Sequence, residues 1–172
     1  MSITNMLFDQ YFGRYLQFMY DGIESTMHEK TAYSCALLLS TYTEVMGGLV
    51  TGNLKAEGNA KTNYVAFLPF LGESYVTLHK EYDLYKWVRS KLVHEFSPKP
   101  NYIIWVNKSI TNKSGIDIID GNLDFNLREY YRDFRCGVEK YKLQFNSSGM
   151  IINNFQKAIR TDYTKISLKK KS

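Results

Sequence analysis

Between residues 28 and 52 the positions Cys35, Leu39, Tyr42, Met46 and Leu49 advance in alternating steps of four and three. That is the seam of an antiparallel helix bundle, and it predicts a long second helix. Ahead of it, Phe8, Tyr11, Phe12, Tyr15, Phe18 and Met19 recur at helical spacing and predict a first helix over 4–24. "GGLVTGN" closes the second helix and a polar loop, "NLKAEGNAKTN", follows. A short helix over roughly 62–71 contains Pro69, which a helix tolerates near its first turn or at a kink. A fourth helix over about 73–96 carries Leu78, Tyr82, Tyr85, Leu92 and Phe96 on its buried stripe, and Ser97-Pro98 ends it.

The rhythm then changes. "YIIWVNKSI" and "IDIID", separated by the turn-forming "TNKSG", predict a β-hairpin over about 101–119. After Gly121-Asn122, "LDFNLREYYRDFRCGVEKYKLQF" predicts a strong helix with Leu127, Tyr131, Phe134, Val138, Tyr141 and Phe145 inward. A last helix over about 149–160 and a basic, disordered tail over 162–172 complete the chain. The expected fold is mainly α: an antiparallel bundle of five or six helices in one domain, 1–161, with one late hairpin.

Composition sharpens this picture in three places. Aromatic residues make up 15% of the 172, fourteen of them tyrosine, which suits helix faces where a ring packs and its hydroxyl finds a partner. The net charge of +5 permits an anionic partner without requiring one, because part of the excess lies in "LKKKS" at the end. The two cysteines, Cys35 and Cys136, have no metal-like neighbours and read as buried free thiols. No apolar run approaches the ~18 residues of a membrane span and no signal segment is visible, so the expected location is cytoplasmic.

The candidate chemistry lies in "YDLYKWVRSKLVHEF". Arg89 fills the one slot of the buried stripe between Tyr85 and Leu92, and His94 follows five residues later near the helix end. A buried arginine lowers stability unless its donors are satisfied or it faces a polar cleft. Two readings are open. In the structural one, Arg89 pairs with Glu44 of the second helix, and His94 complements the negative end of the helix dipole. In the chemical one, the guanidinium binds phosphate in its fork geometry and the imidazole moves protons near neutral pH. Those are the parts needed for metal-free RNA cleavage, with His94 as general acid or base and Arg89 stabilising the phosphorane. Five residues on a straight helix leave the two side chains about 140° apart and roughly 7.5 Å along the axis. Convergence then needs bending, a long reach by Arg89, or a second copy of the motif across a twofold axis.

"VRSKLVHEF" resembles the R-x4-H signature of HEPN domains (higher eukaryotes and prokaryotes nucleotide-binding), and is close to the form in HEPN toxins paired with nucleotidyltransferase antitoxins. The resemblance covers about nine residues and the helical layout of 1–97. It implies an all-helical, frequently dimeric domain and, in active members, a metal-independent endoribonuclease without a cofactor, acting as a toxin or in antiviral defence. Arg89 and His94 then take the catalytic positions and Ser90 the polar one; apart from the resemblance, Glu44 on the second helix is a candidate to orient or charge-pair Arg89 in support. Ser90 stands where the family usually has Asn, Asp or His, and Phe96 stands where the toxin form has a tyrosine open to nucleotidylation. The partners implied are RNA or a nucleotide, a second copy of the chain and an antitoxin protein. The alternative is a non-catalytic nucleotide- or RNA-binding module, or a dimeric scaffold, of the same fold.

One further feature could touch nucleic acid. Arg128, Arg132 and Arg135 fall at i, i+4 and i+7 and form a basic stripe after the hairpin. A solvated face paired with Glu129 and Asp133 has the same pattern. Stacking aromatics beside the stripe would favour nucleic acid, yet most tyrosines lie on core stripes. His28 and His79 have no ligand-spaced partners, so no metal site is expected. "GGLVTGN" lacks the lysine of a phosphate loop and ends a helix where such a loop begins one.

Overall fold

A computed structural model describes Met6 and residues 8–10, 12–55, 57–94, 102–107 and 114–169. Among these, seven α-helices and a three-stranded sheet form a mainly helical fold. Helix α1 (Gln17–Thr26) continues a π-helical turn at Phe12–Leu16, and α2 (Ala32–Thr51) follows a 3-10 turn at Glu29–Thr31. Then come α3 (Ala60–Leu71), α4 (Glu73–Tyr82), a π-helical segment at Tyr85–Ser90 and α5 (Lys91–His94). Strands β1 (Tyr102–Trp105), β2 (Ile116–Ile119) and β3 (Asn122–Asn126) precede α6 (Leu127–Phe145) and α7 (Gly149–Lys169).

Helix α2 is the centre of the bundle. Besides Cys35, Leu39, Met46 and Leu49 of the predicted seam it buries Ala36, Ser40, Thr43, Glu44, Gly47 and Gly48, with Tyr42 half-buried, so it is covered on nearly every side. Its tightest neighbour is α3, because Gly47 has no Cβ and its backbone meets the Asn63 carbonyl directly. Asn63 is itself buried and satisfied: it donates to the Asn53 carbonyl and accepts from Thr51 Oγ1, both at 2.8 Å. Gly52 ends α2 in the left-handed conformation, and Asn53 N–H returns to the Gly48 carbonyl at 2.8 Å. Pro69 falls in the last turns of α3, not the first, and the helix stops at Leu71.

The expected fourth helix is broken. Asp83 adopts φ 47° and ψ 69°, which ends α4, and the chain resumes through Leu84 into the π turn. The buried stripe is therefore Leu84, Val88 and Leu92, while Tyr82 is exposed and Tyr85 only half-buried. The two steps of four drift by about 40° each on an α-helix, and a wider π turn takes up that drift. The first helix behaves alike: Phe8, Phe12 and Leu16 are buried across its π turn, with Tyr15 and Phe18 outward. Phe96 and Tyr11 lie outside the described residues.

The expected hairpin is also corrected. β1 does not pair with β2; the sheet order is β1-β3-β2, with β1 parallel and β2 antiparallel to β3. The hairpin is β2–β3, joined by Asp120-Gly121, both at positive φ as a two-residue I′ turn requires. β3 was expected as the start of a helix. It runs straight into α6, where the Asn126 side chain accepts from the Glu129 N–H. On α6, Tyr130 is buried and Tyr131 half-buried, the reverse of expectation. The last helix continues to Lys169, beyond the boundary expected near 161. Cys35 is buried, and its thiol is pushed up chiefly by burial; Cys136 is exposed, against expectation. No helix among the described residues is long and apolar enough to cross a membrane.

Candidate functional site

The motif helix is held to the bundle by unlike contacts. Buried Val88 and Leu92 pack it into the core. Between them Arg89 turns to α2, and its Nε donates to Glu44 Oε2 at 2.7 Å. The Glu44 side chain is 8% exposed and that of Arg89 18%, so the pair lies at the edge of the core. Glu44 lies on the buried side of α2, where its carboxylate needs a partner. Thr43, one residue before, bonds the Leu39 carbonyl and the Tyr130 hydroxyl at 2.8 and 2.9 Å.

A third anchor was not foreseen. The Tyr33 hydroxyl, in the first turn of α2, donates to the Leu92 carbonyl. Leu92 lies on α5, in the helical run that continues from the π turn, so the bond ties that run to α2. No sequence pattern marks Tyr33; only the fold brings it within reach. Ser90 follows Arg89 and is half-buried. His94 is the final residue of α5, and its side chain lies outside the described residues.

The geometry joins Arg89 to Glu44, as the structural reading expected. Nε is one of five guanidinium donors, and holding it fixes the plane of the group. Among the described residues Glu44 is the polar partner of Arg89. A carboxylate bound at Nε leaves the terminal nitrogens as a fork of the shape that phosphate accepts.

The arginines of α6 stand in three different surroundings. Arg132 pairs with Glu129 and, at 3.1 Å, with Asp133, so it is neutralised on its own helix. Arg135 lies over the rings of Tyr20 and Tyr131, 5.3 and 5.8 Å from their centroids, and helps clasp α1 to α6. Arg128 is exposed and lines a separate cavity. The histidines also diverge: His28 Nδ1 accepts from the Lys30 N–H, and His79 lies 3.9 Å from Asp83. Burial lowers the His79 pKa, with Lys61 adding to the effect and Asp83 opposing it. No cluster of three His, Cys, Asp or Glu side chains suited to a metal ion occurs among the described residues.

In comparisons with known proteins, no family model matches the chain, and no curated protein or solved structure is significantly similar to it.

Proposed function

We propose that the chain is a HEPN-like, metal-independent endoribonuclease in which Arg89 and His94 act on the RNA backbone and Glu44 positions Arg89. The observation that supports this reading is the Nε–carboxylate bond between Arg89 and Glu44, at the edge of the core beside the only R-x4-H motif in the chain. In this reading the ribose 2′-hydroxyl loses its proton to a general base and attacks the adjacent phosphorus. The guanidinium fork neutralises charge on the phosphorane, and the 5′-oxygen leaves as it gains a proton. The products carry a 2′,3′-cyclic phosphate and a 5′-hydroxyl. His94 is one of the proton-transfer groups, and a second copy of the motif across a twofold axis supplies the other.

The same ion pair favours a second reading, a non-catalytic binding or scaffold module, since Glu44 alone is a sufficient structural reason for Arg89. One experiment separates the two. Wild type, Arg89→Ala and His94→Ala are incubated with mixed cellular RNA in EDTA, and new ends are mapped. Cleavage by wild type alone, leaving cyclic phosphate ends, is expected. Equal cleavage by all three proteins, or RNA left intact by wild type, would end the catalytic reading.

A further inference from the structure

A cavity of about 630 Å³ opens where the 3-10 turn after α1, the end of β1 and the first turn of α6 meet. Its volume falls within the roughly 300–1,000 Å³ of small-molecule sites. None of its lining residues belongs to the R-x4-H motif. Three kinds of surface converge there. Trp105, 37% exposed as a residue, supplies an indole, and Met27 adds an apolar wall. Arg128 supplies a guanidinium that no described carboxylate neutralises, unlike Arg132 on the next turn. His28, Glu29 and Asn107 supply edges that donate and accept. His28 Nδ1 accepts the Lys30 N–H, so the neutral imidazole carries its proton on Nε2.

We propose that this cavity binds an unstacked nucleobase together with its phosphate, whether as a free nucleotide or as one residue of a single strand. The indole offers the face on which a base stacks, a contact that tolerates any base. Arg128 matches a phosphate in fork geometry. Glu29 would repel that phosphate, so its carboxylate belongs with the exocyclic amino or ring N–H donors of the base. Asn107 has an amide that can meet both donors and acceptors of the same edge. Trp105 is thus the stacking aromatic that the sequence lacked beside its arginines, brought there by β1 and not by α6. The proposal does not rest on cleavage at Arg89 and His94.

The test uses the full chain and calorimetric titration with AMP, GMP, CMP and UMP, the matching nucleosides, and a single-stranded RNA hexamer of mixed sequence. At least one mononucleotide is expected to bind saturably. Arg128→Ala weakens it roughly ten-fold while leaving its nucleoside unchanged, the effect of one charge-assisted phosphate contact. Trp105→Ala weakens nucleotide and nucleoside alike, and Trp105→Phe, which keeps an aromatic face, restores most of the affinity. Thermal melts of each variant separate a lost site from a lost fold. A hexamer that binds more tightly than every mononucleotide identifies a strand as the natural source; the opposite order identifies a free nucleotide. Absence of binding by all mononucleotides and the hexamer overturns the proposal. So does binding that Arg128→Ala and both Trp105 variants leave unchanged.

Discussion

Arg89 illustrates how far a single residue can be read. Its misfit on an apolar stripe was legible, and so was a carboxylate on the second helix able to meet it. Both charges are largely withdrawn from water, so removing one strands the other. Glu44→Gln is expected to destabilise the fold by about 2–3 kcal/mol in urea unfolding, less than for a fully buried pair because Arg89 keeps some solvent. Arg89→Ala should behave similarly, and the double variant should fall well short of the sum. Additive losses would show that the two side chains do not depend on each other. What the sequence could not show is the direction of the His94 side chain relative to Arg89, because the straight-helix estimate assumed an uninterrupted α-helix. The π turn, which contains Arg89 and runs to Ser90, removes that assumption.

At the scale of elements, the sequence was read with the wrong period in two places. Phe8, Phe12, Leu16 and Leu84, Val88, Leu92 both step by four, and both runs cross π turns. A rhythm that alternates fours with threes, as an unbroken α-helix requires, prefers Tyr15 or Tyr85 and places the face one residue off. The hairpin error has a different cause. "IIDGNL" contains the Asp-Gly turn signal, but "TNKSG" is the longer run of turn chemistry, and "LDFN" runs without a break into the strong pattern of α6. Parallel pairing of β1 with β3 leaves no local signature at all, because its partners are far apart in sequence. The α2–α3 contact yields a sharp expectation. Gly47→Ala would drive a methyl into the Asn63 carbonyl and should destabilise by about 3 kcal/mol. Gly13→Ala, with nothing near its Cβ position, should be neutral or stabilising by about 0.5 kcal/mol. Equal melting temperatures for the two variants would contradict the close approach.

For the whole molecule, the unusual tyrosine content becomes a pH dependence. Burial pushes the Tyr20 hydroxyl up to about 12, with Glu139 adding to it and Arg135 opposing. Tyr130 is likewise pushed up to about 12 by burial, although its bond to Thr43 opposes the shift. Tyr131, burial apart, donates to Glu24 at 2.7 Å and is raised as well. Unfolded tyrosines ionise near 10, so above that pH the unfolded chain releases protons that the folded chain retains. The stability is complete below pH 10 and is lost as pH rises through about 10 to 12. An ultraviolet titration should show exposed tyrosines ionising first, with the buried group following as near-ultraviolet circular dichroism collapses. Ionisation of all fourteen in a single step with the dichroism intact would contradict it.

The Tyr33 hydroxyl bond to Leu92 has a consequence for local opening. It spans 59 positions and joins the first turn of the central helix to the helical run that continues from the π turn. The helical run over 84–94 is too short to be stable alone, so its amides are expected to take part of their protection from α2 through that phenol, beside the packing of Val88 and Leu92 and the Arg89–Glu44 bond. Tyr33→Phe should then speed hydrogen exchange across residues 88–94 while the amides of α3 and α6 keep their rates. The segment that carries Arg89 would open as a separate unit, releasing it from the bundle without unfolding the rest.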